Sequence, residues 1–347
     1  MKMITKFVTA AATSLALFVN ASASAQAPAA EAMDNKASPP MWRVADADSE
    51  FILLGTFHVL PPSLEWRTPA LNTAISNAET VYFEVEADAA DAQTKTVNIL
   101  MTQGFNPPGT TLSSMLGEEN RQKLATISRD LGLPFAAIDP MRPWQAFLTL
   151  SVQFIIQQGF QPGAGADSVL LAEARTLGKE LRFFETLEEQ LNFFTTLDSQ
   201  TEKDLLILTL QDWENQQAMF DDLFTAWREG DAAFIDKQMN DSMRLETPAV
   251  YDRLIVKRNQ AWAEDIANAM NNGAGTALVA VGAGHLVGNE LSVPALLKAR
   301  GFEVSRYGLE ESATDITAAN DNAPAETASE DTGTDDIEAL LENIENQ

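Results

Sequence analysis

Two histidines are the only imidazoles in this 347-residue chain, and each stands three residues after a glycine. His58 closes Leu54-Gly55-Thr56-Phe57-His58, and His285 closes Val281-Gly282-Ala283-Gly284-His285. Both glycines follow apolar, strand-like runs, Phe51 to Leu54 and Leu278 to Val281. Glycine at the C-terminal end of a strand permits a tight turn and close backbone approach. The histidine then projects at the carboxyl edge of the sheet, where open α/β sheets bind ligands. Two imidazoles converging there would bind a divalent metal, or divide the work of base and electrophile. A single histidine after a strand is more often hydrogen-bonded to nearby backbone; the repeated device favours a site.

Carboxylates stand in a comparable position. Val81-Tyr82-Phe83-Glu84-Val85-Glu86 ends a third strand-like run with two acids, two residues apart, which on an extended backbone share a face. Either would complete a site of two imidazoles and one carboxylate, or activate a bound water. Glu84 is expected as ligand or base, with Glu86 the alternative. Arg258-Asn259 and Trp262 lie on a helical stretch just before the last strand run. An arginine near a carboxylate holds a substrate carboxylate or stabilises an oxyanion, although a surface ion pair is its commoner use. With nitrogen and oxygen ligands and no thiolate, zinc, manganese and cobalt all suit such a site. The chain has no cysteine, which removes disulfides, thiolate metal sites and cysteine nucleophiles together. It also lacks a phosphate-cradling loop with Lys-Ser/Thr, an H-E-x-x-H helix and a G-x-S-x-G elbow.

The elements that must position these groups follow from periodicity. Phe51–Leu54, Val81–Phe83, Phe135–Ile138 and Leu278–Val281 read as short strands, several of them continuously apolar, as in a parallel sheet covered on both faces. Ala70 to Ala78 and Glu118 to Leu131 read as helices, and the uncharged stretch between Arg142 and Asp167 as a core helix. Residues 187 to 272 read as almost wholly helical, broken at Gly230 and Pro248. Glu185 to Gln190 and Trp227 to Asp231 read as structural, a strand end and a helix C-terminus closed by glycine. The expected fold is α/β, a mostly parallel central sheet carrying a helical insertion over about residues 187–272.

The ends of the chain carry separate signals. Lys2 and Lys6 precede a mostly apolar stretch and Ala23-Ser24-Ala25, the pattern of a signal peptide over residues 1–25. A flexible leader is expected over residues 26–41, the folded domain over residues 42–308, and a disordered acidic tail over residues 309–347. That tail has twelve acidic residues and no basic one, within a net charge of −27. Nucleic acid and anionic membrane surfaces are therefore poor partners, whereas a cationic peptide or a metal ion would be attracted. No membrane anchor is expected after signal cleavage, and the location implied is periplasmic or secreted.

In order along the chain, Leu54 to His58, Val81 to Glu86, Met141-Arg142-Pro143-Trp144, Gly165-Ala166-Asp167, Glu185-Thr186 with Gln190, Trp227 to Asp231, Arg258-Asn259 with Trp262, and Gly282 to Leu286 resemble the TraB/PrgY/GumN family. The resemblance covers about residues 42 to 308. It implies a fold of the erythromycin-esterase/ChaN-like type with both Gly-x-x-His segments at one site. From the Tiki proteases of that family it implies metal-dependent peptide cleavage, and the partner expected here is a peptide or small-molecule substrate. The essential histidines and glutamate map onto His58, His285 and Glu84, and Asn259 is a further carry-over. The GumN-like branch, which the chain resembles more closely, brings no settled activity. Capture of a peptide or a haem-like ligand without turnover, or an accessory role in surface polysaccharide export, stand as alternatives. If the leader is cleaved as the sequence predicts, intact-mass measurement of periplasmic protein should show a mature N-terminus near Gln26; a full-length cytoplasmic species would contradict it.

Overall fold

A computed structural model describes residues 36–308 except 274 and 289, and it arranges six strands in one sheet. The strands are β1 (Met41–Ala45), β2 (Glu50–Thr56), β3 (Thr80–Phe83), β4 (Glu180–Phe183), β5 (Thr276–Gly282) and β6 (Glu303–Tyr307). Their order across the sheet is β4-β3-β5-β2-β1-β6. The β4-β3-β5-β2 run pairs in parallel, and β1 is antiparallel to both β2 and β6. The chain thus has an α/β fold with a mixed, mostly parallel sheet and many helices. The continuous apolar runs of β2 and β5 have the physical consequence expected of them: both strands sit centrally and are buried at every residue but the first. The edge strands β4 and β6 alternate between exposed and half-buried residues.

Register brings the chemistry-bearing segments together. Gly55 lies beside Val281, and Thr56 beside Gly282, so both Gly-x-x-His segments leave the sheet side by side. On the other flank of β5, Phe83 lies beside Ala280, and Phe183 of β4 lies beside Phe83. Glu84 and Glu185, which follow those two strands, therefore reach the same edge. One apolar cluster surrounds the sheet; a second lies mostly among helices between residues 85 and 256. The stretch from Leu187 to Asn271 contains helices only, with interruptions at Gly230 and before Pro248. Gly230 closes the Gln216–Glu229 helix in the left-handed conformation, φ 69°, which a side chain would strain. Among the described residues no helix is long and apolar enough to cross a membrane.

Two expectations are corrected. Phe135–Ile138 is a single helical turn instead of a strand, because Pro134 starts it and the Pro134 carbonyl accepts from the Ala137 N–H. Only Ile138 of the four is buried, and periodicity alone does not separate so short an apolar run from a helix. The end of the expected leader is also built into the domain. Ala37, Pro39 and Pro40 are buried, Ser38 N–H donates to the Arg228 carbonyl at 2.6 Å, and the Pro40 carbonyl accepts from Gly55 N–H at 2.9 Å. Residues 1–35, with the signal sequence and the rest of the leader, and the tail 309–347 lie outside the described residues.

Trp227 joins the helical stretch to the sheet. Its indole N–H donates to the Gly55 carbonyl at 2.8 Å, and the ring packs on Phe57 and Phe224. Trp227→Phe should therefore lose that hydrogen bond and leave a small cavity at a fully buried position. Chemical denaturation should show a loss of about 2 kcal/mol, against near-neutrality if the contact were incidental.

Candidate functional site

The strand ends and the helices facing them each contribute a polar group to one buried cluster. His58, two residues past β2, places its Nδ1 2.8 Å from Asp167 Oδ2, while the Thr56 hydroxyl donates to Asp167 Oδ1 at 2.6 Å. Asp167 lies in the first turn of the Ala166–Thr176 helix, where backbone N–H groups favour a carboxylate. That helix start is fixed to the histidine loop, since Ala166 N–H donates to the Phe57 carbonyl at 3.0 Å. With its Nδ1 proton given to Asp167, His58 directs Nε2 toward Glu84 Oε1, 4.0 Å away.

Glu84 is fully engaged. Its Oε1 accepts from Gly282 N–H at 2.7 Å, and its Oε2 accepts from Arg258 Nη2 at 2.6 Å and Gln190 Nε2 at 3.1 Å. Arg258, second residue of the Lys257–Asn271 helix, also donates Nε and Nη2 to Glu185 at 2.6 and 2.9 Å. Its Nη1 reaches the Leu254 carbonyl at 3.2 Å and His285 Nε2 at 3.0 Å. Phe193 and Trp262 pack on the guanidinium, at 5.1 and 4.6 Å from ring centroid to Cζ. Leu254 belongs to a π-helical turn, Asp252–Val256, a widened geometry found mostly at functional sites.

The tautomer of His285 follows from its neighbours. Asn259 Nδ2 donates to the Leu291 carbonyl at 2.8 Å, which turns its oxygen toward His285 Nδ1 at 2.6 Å. An amide oxygen only accepts, so Nδ1 carries the proton and Nε2 accepts from Arg258. Gly282 is required at the centre of the cluster. A Cβ there would lie 3.0 Å from His58 Nε2, 3.2 Å from Glu84 Oε1 and 3.6 Å from His285 Cδ2. The same figures show that His285 presents a C–H edge to the point where His58 and Glu84 meet.

The protonation equilibria diverge. Burial works against the Glu84 carboxylate, but Arg258, the two imidazoles and the Gly282 N–H together outweigh it, and the pKa falls to about 2. Burial and Arg258 together push His285 down to about 3. Burial also opposes the His58 imidazolium, yet the Asp167 carboxylate more than offsets it, and His58 titrates above its ordinary value. Glu185 is raised, because burial prevails over its pairing with Arg258.

Beside the cluster lies a pocket floored by His58, Arg258 and His285 and walled by Phe193, Leu223, Met239, Met243, Leu254 and Ile255. It offers about 50 Å³ to water-sized groups, so a larger substrate enters only if the flexible methionines yield. The residues foreseen as metal ligands do not fit an ion in this arrangement. Both nitrogens of His285 and both oxygens of Glu84 are taken by hydrogen bonds, and Arg258 fills the cation position between them. No group of three or more His, Asp or Glu side chains among the described residues is spaced to hold a metal.

The sequence model of the TraB/PrgY/gumN family matches residues 40–306. The chain belongs to this family. It is 26% identical over 252 residues to Uncharacterized protein YbaP of Escherichia coli (strain K12), covering 72% of this chain and 88% of the relative. Uncharacterized protein YbaP of Shigella flexneri is likewise 26% identical over 250 residues, covering 71% and 87%. No solved structure matches the chain.

For this family member the structure brings His58, His285, Glu84, Arg258 and Asn259 together and leaves Glu86 out. β3 stops at Phe83, so strand alternation does not continue, and Glu86 pairs with Arg175 at the surface at 2.5 Å. Three members of the cluster were not singled out as site residues by their chemistry: Asp167, Glu185 and Gln190. Asp167 carried a signal in its place at a helix start after Gly165. Glu185 and Gln190 flank the capping box of Thr186 and Glu189, which made the segment look purely structural.

The pH dependence of stability follows from these shifts. Glu84 and His285 both have folded pKa values below their unfolded ones, so the stability they contribute is present at neutral pH and is lost on acidification. The loss runs from about 6.5 down to 3 for His285 and from about 4.5 down to 2 for Glu84. His58, with a raised pKa, acts in the opposite sense, losing its contribution as pH rises through its folded value. Melting temperature should fall between pH 6.5 and pH 3, and in Glu84→Gln the fall below pH 4.5 should be shallower. Parallel acid limbs in wild type and variant would contradict this assignment.

Proposed function

We propose that this chain is a hydrolase of the TraB/PrgY/gumN family, acting on a peptide or small-molecule substrate in the periplasm or outside the cell after cleavage of its signal sequence. The observation that carries the reading is the buried His58–Asp167 pair, with His58 at the floor of an apolar-walled pocket and its Nε2 facing Glu84 Oε1 at 4.0 Å. That separation suits a water lying between the two groups. His58 takes the water's proton as its oxygen bonds to the substrate carbonyl carbon, and then returns the proton to the leaving group. Asp167 holds the imidazole in the tautomer that leaves Nε2 as acceptor, and Glu84 orients the water. Arg258 supplies the positive charge beside which an oxyanion develops. Gln190 supports a peptide substrate: it lines the pocket, and its Oε1 has no hydrogen-bond partner among the described residues, an acceptor suited to a substrate N–H.

The proposal extends to the fold, which we assign to the erythromycin-esterase/ChaN-like type with the helices of about residues 187–272 as its insertion. The divalent ion expected from the sequence, zinc, manganese or cobalt, does not fit beside Arg258 as it pairs with Glu84 and His285. No step above runs through it.

Hydrolysis of a peptide and ester panel by chelator-treated protein tests the reading. His58→Ala should lower kcat/KM by a factor on the order of 10² to 10⁴. Because the base must be unprotonated, the rate should rise with pH through a pKa above 6.5, and Asp167→Asn should move that limb to lower pH. A panel that is not turned over, with binding of a peptide or haem instead, would sink the hydrolase reading in favour of a binding role.

A further inference from the structure

We propose that Arg258 is the resident cation of this site, and that a divalent ion can occupy the space between Glu84, Glu185 and His285 only when the guanidinium is absent. The inference goes beyond the hydrolase reading and does not depend on turnover. Five contacts to four partners account for every guanidinium nitrogen: Nε to Glu185, Nη1 to the Leu254 carbonyl and His285 Nε2, Nη2 to Glu84 and Glu185. Three of those partners are potential metal donors, two carboxylates and an imidazole nitrogen carrying its lone pair. They stand 2.6 to 3.0 Å from guanidinium nitrogens, Glu84 and Glu185 on Nη2 and His285 on Nη1, so they gather around the guanidinium, and its loss leaves them to close on one smaller cation at metal–ligand distances of about 2.1 Å. Glu84, His285 and Arg258 (7% exposed) are buried and Glu185 is half-buried, and two unpaired cations do not share so small a desolvated space. The guanidinium and the ion thus compete for one set of donors.

The donor set differs from the one the sequence suggested. His58 is not in it, since its Nδ1 is committed to Asp167 and its Nε2 faces Glu84 Oε1, the oxygen that Arg258 does not touch. Loss of Arg258 leaves two carboxylates and a neutral imidazole without a counter-cation, an oxygen-rich set that suits manganese, cobalt or zinc.

Manganese, cobalt and zinc chlorides, added singly to chelator-treated protein, are the probes, read by calorimetry and by elemental analysis after dialysis. Wild type should retain no stoichiometric ion. Arg258→Ala should bind about one ion per chain, at least 100-fold tighter than wild type, with a rise in melting temperature on binding. Methylguanidinium should raise the variant's apparent Kd for manganese by competing for the vacated space. In the Arg258→Ala background, His285→Ala should abolish binding while His58→Ala leaves it. Should Arg258→Ala fail to fold without metal, its refolding in manganese against refolding in chelator takes the place of the titration: recovery only in manganese is expected, and no recovery in either counts against the proposal. Wild type retaining an ion as tightly as the variants, or folded variants that bind none, would overturn the proposal.

Discussion

A single buried guanidinium organises the C-terminal edge of the sheet. Charge taken out of water is tolerated only where it is matched and hydrogen-bonded. Arg258 meets that condition through acids delivered by two neighbouring strands, a carbonyl exposed by a π-helical turn, and an imidazole from the loop after β5. Two aromatic rings close over its faces. The mutual position of sheet and helices at this edge is therefore fixed by polar contacts as much as by apolar burial, at the seam between the two hydrophobic clusters.

The same arrangement separates four titratable groups that would otherwise behave as two similar pairs. Glu84 is driven toward permanent ionisation and Glu185 away from it; His58 is drawn toward the imidazolium and His285 held neutral. Three causes act: burial disfavours every charged form and prevails at Glu185, proximity to Arg258 favours the Glu84 carboxylate and disfavours a protonated His285, and Asp167 reaches only His58. Environments that push like groups apart in pKa are how one fold supplies an acid and a base at neutral pH.

Much of this was legible in the sequence, and the residues show why the rest was not. The central strands announced themselves as continuous apolar runs, and the Gly-x-x-His repeat placed both histidines at one edge because parallel register does so automatically. Glu84 and Arg258 were visible as residues of the right type at strand and helix boundaries. Their direct partnership was not, since 174 positions separate them and no local spacing records it. Glu86 was drawn in by assuming that β3 continued past Phe83. Asp167, Glu185 and Gln190 were obscured because a carboxylate at a helix start and polar residues around a cap have ordinary local explanations, which in this chain are also true. Phe135–Ile138 was misread because four apolar residues carry no period.

The histidines of the pocket floor and the walls come from different parts of the chain. His58 and His285 of the floor hang on the ends of β2 and β5, whereas Arg258 and the walls, Phe193, Leu223, Met239, Met243, Leu254 and Ile255, all belong to the helices between β4 and β5. Evolution or an engineer can thus redraw what the pocket admits by exchanging one uninterrupted cassette, leaving His58, Glu84 and His285 on the strand ends in place. The limits of such an exchange are the polar contacts by which the cassette is grafted to the sheet edge: Arg258 on Glu84 and Glu185, Gln190 on Glu84, Asn259 on His285 and Trp227 on the Gly55 carbonyl.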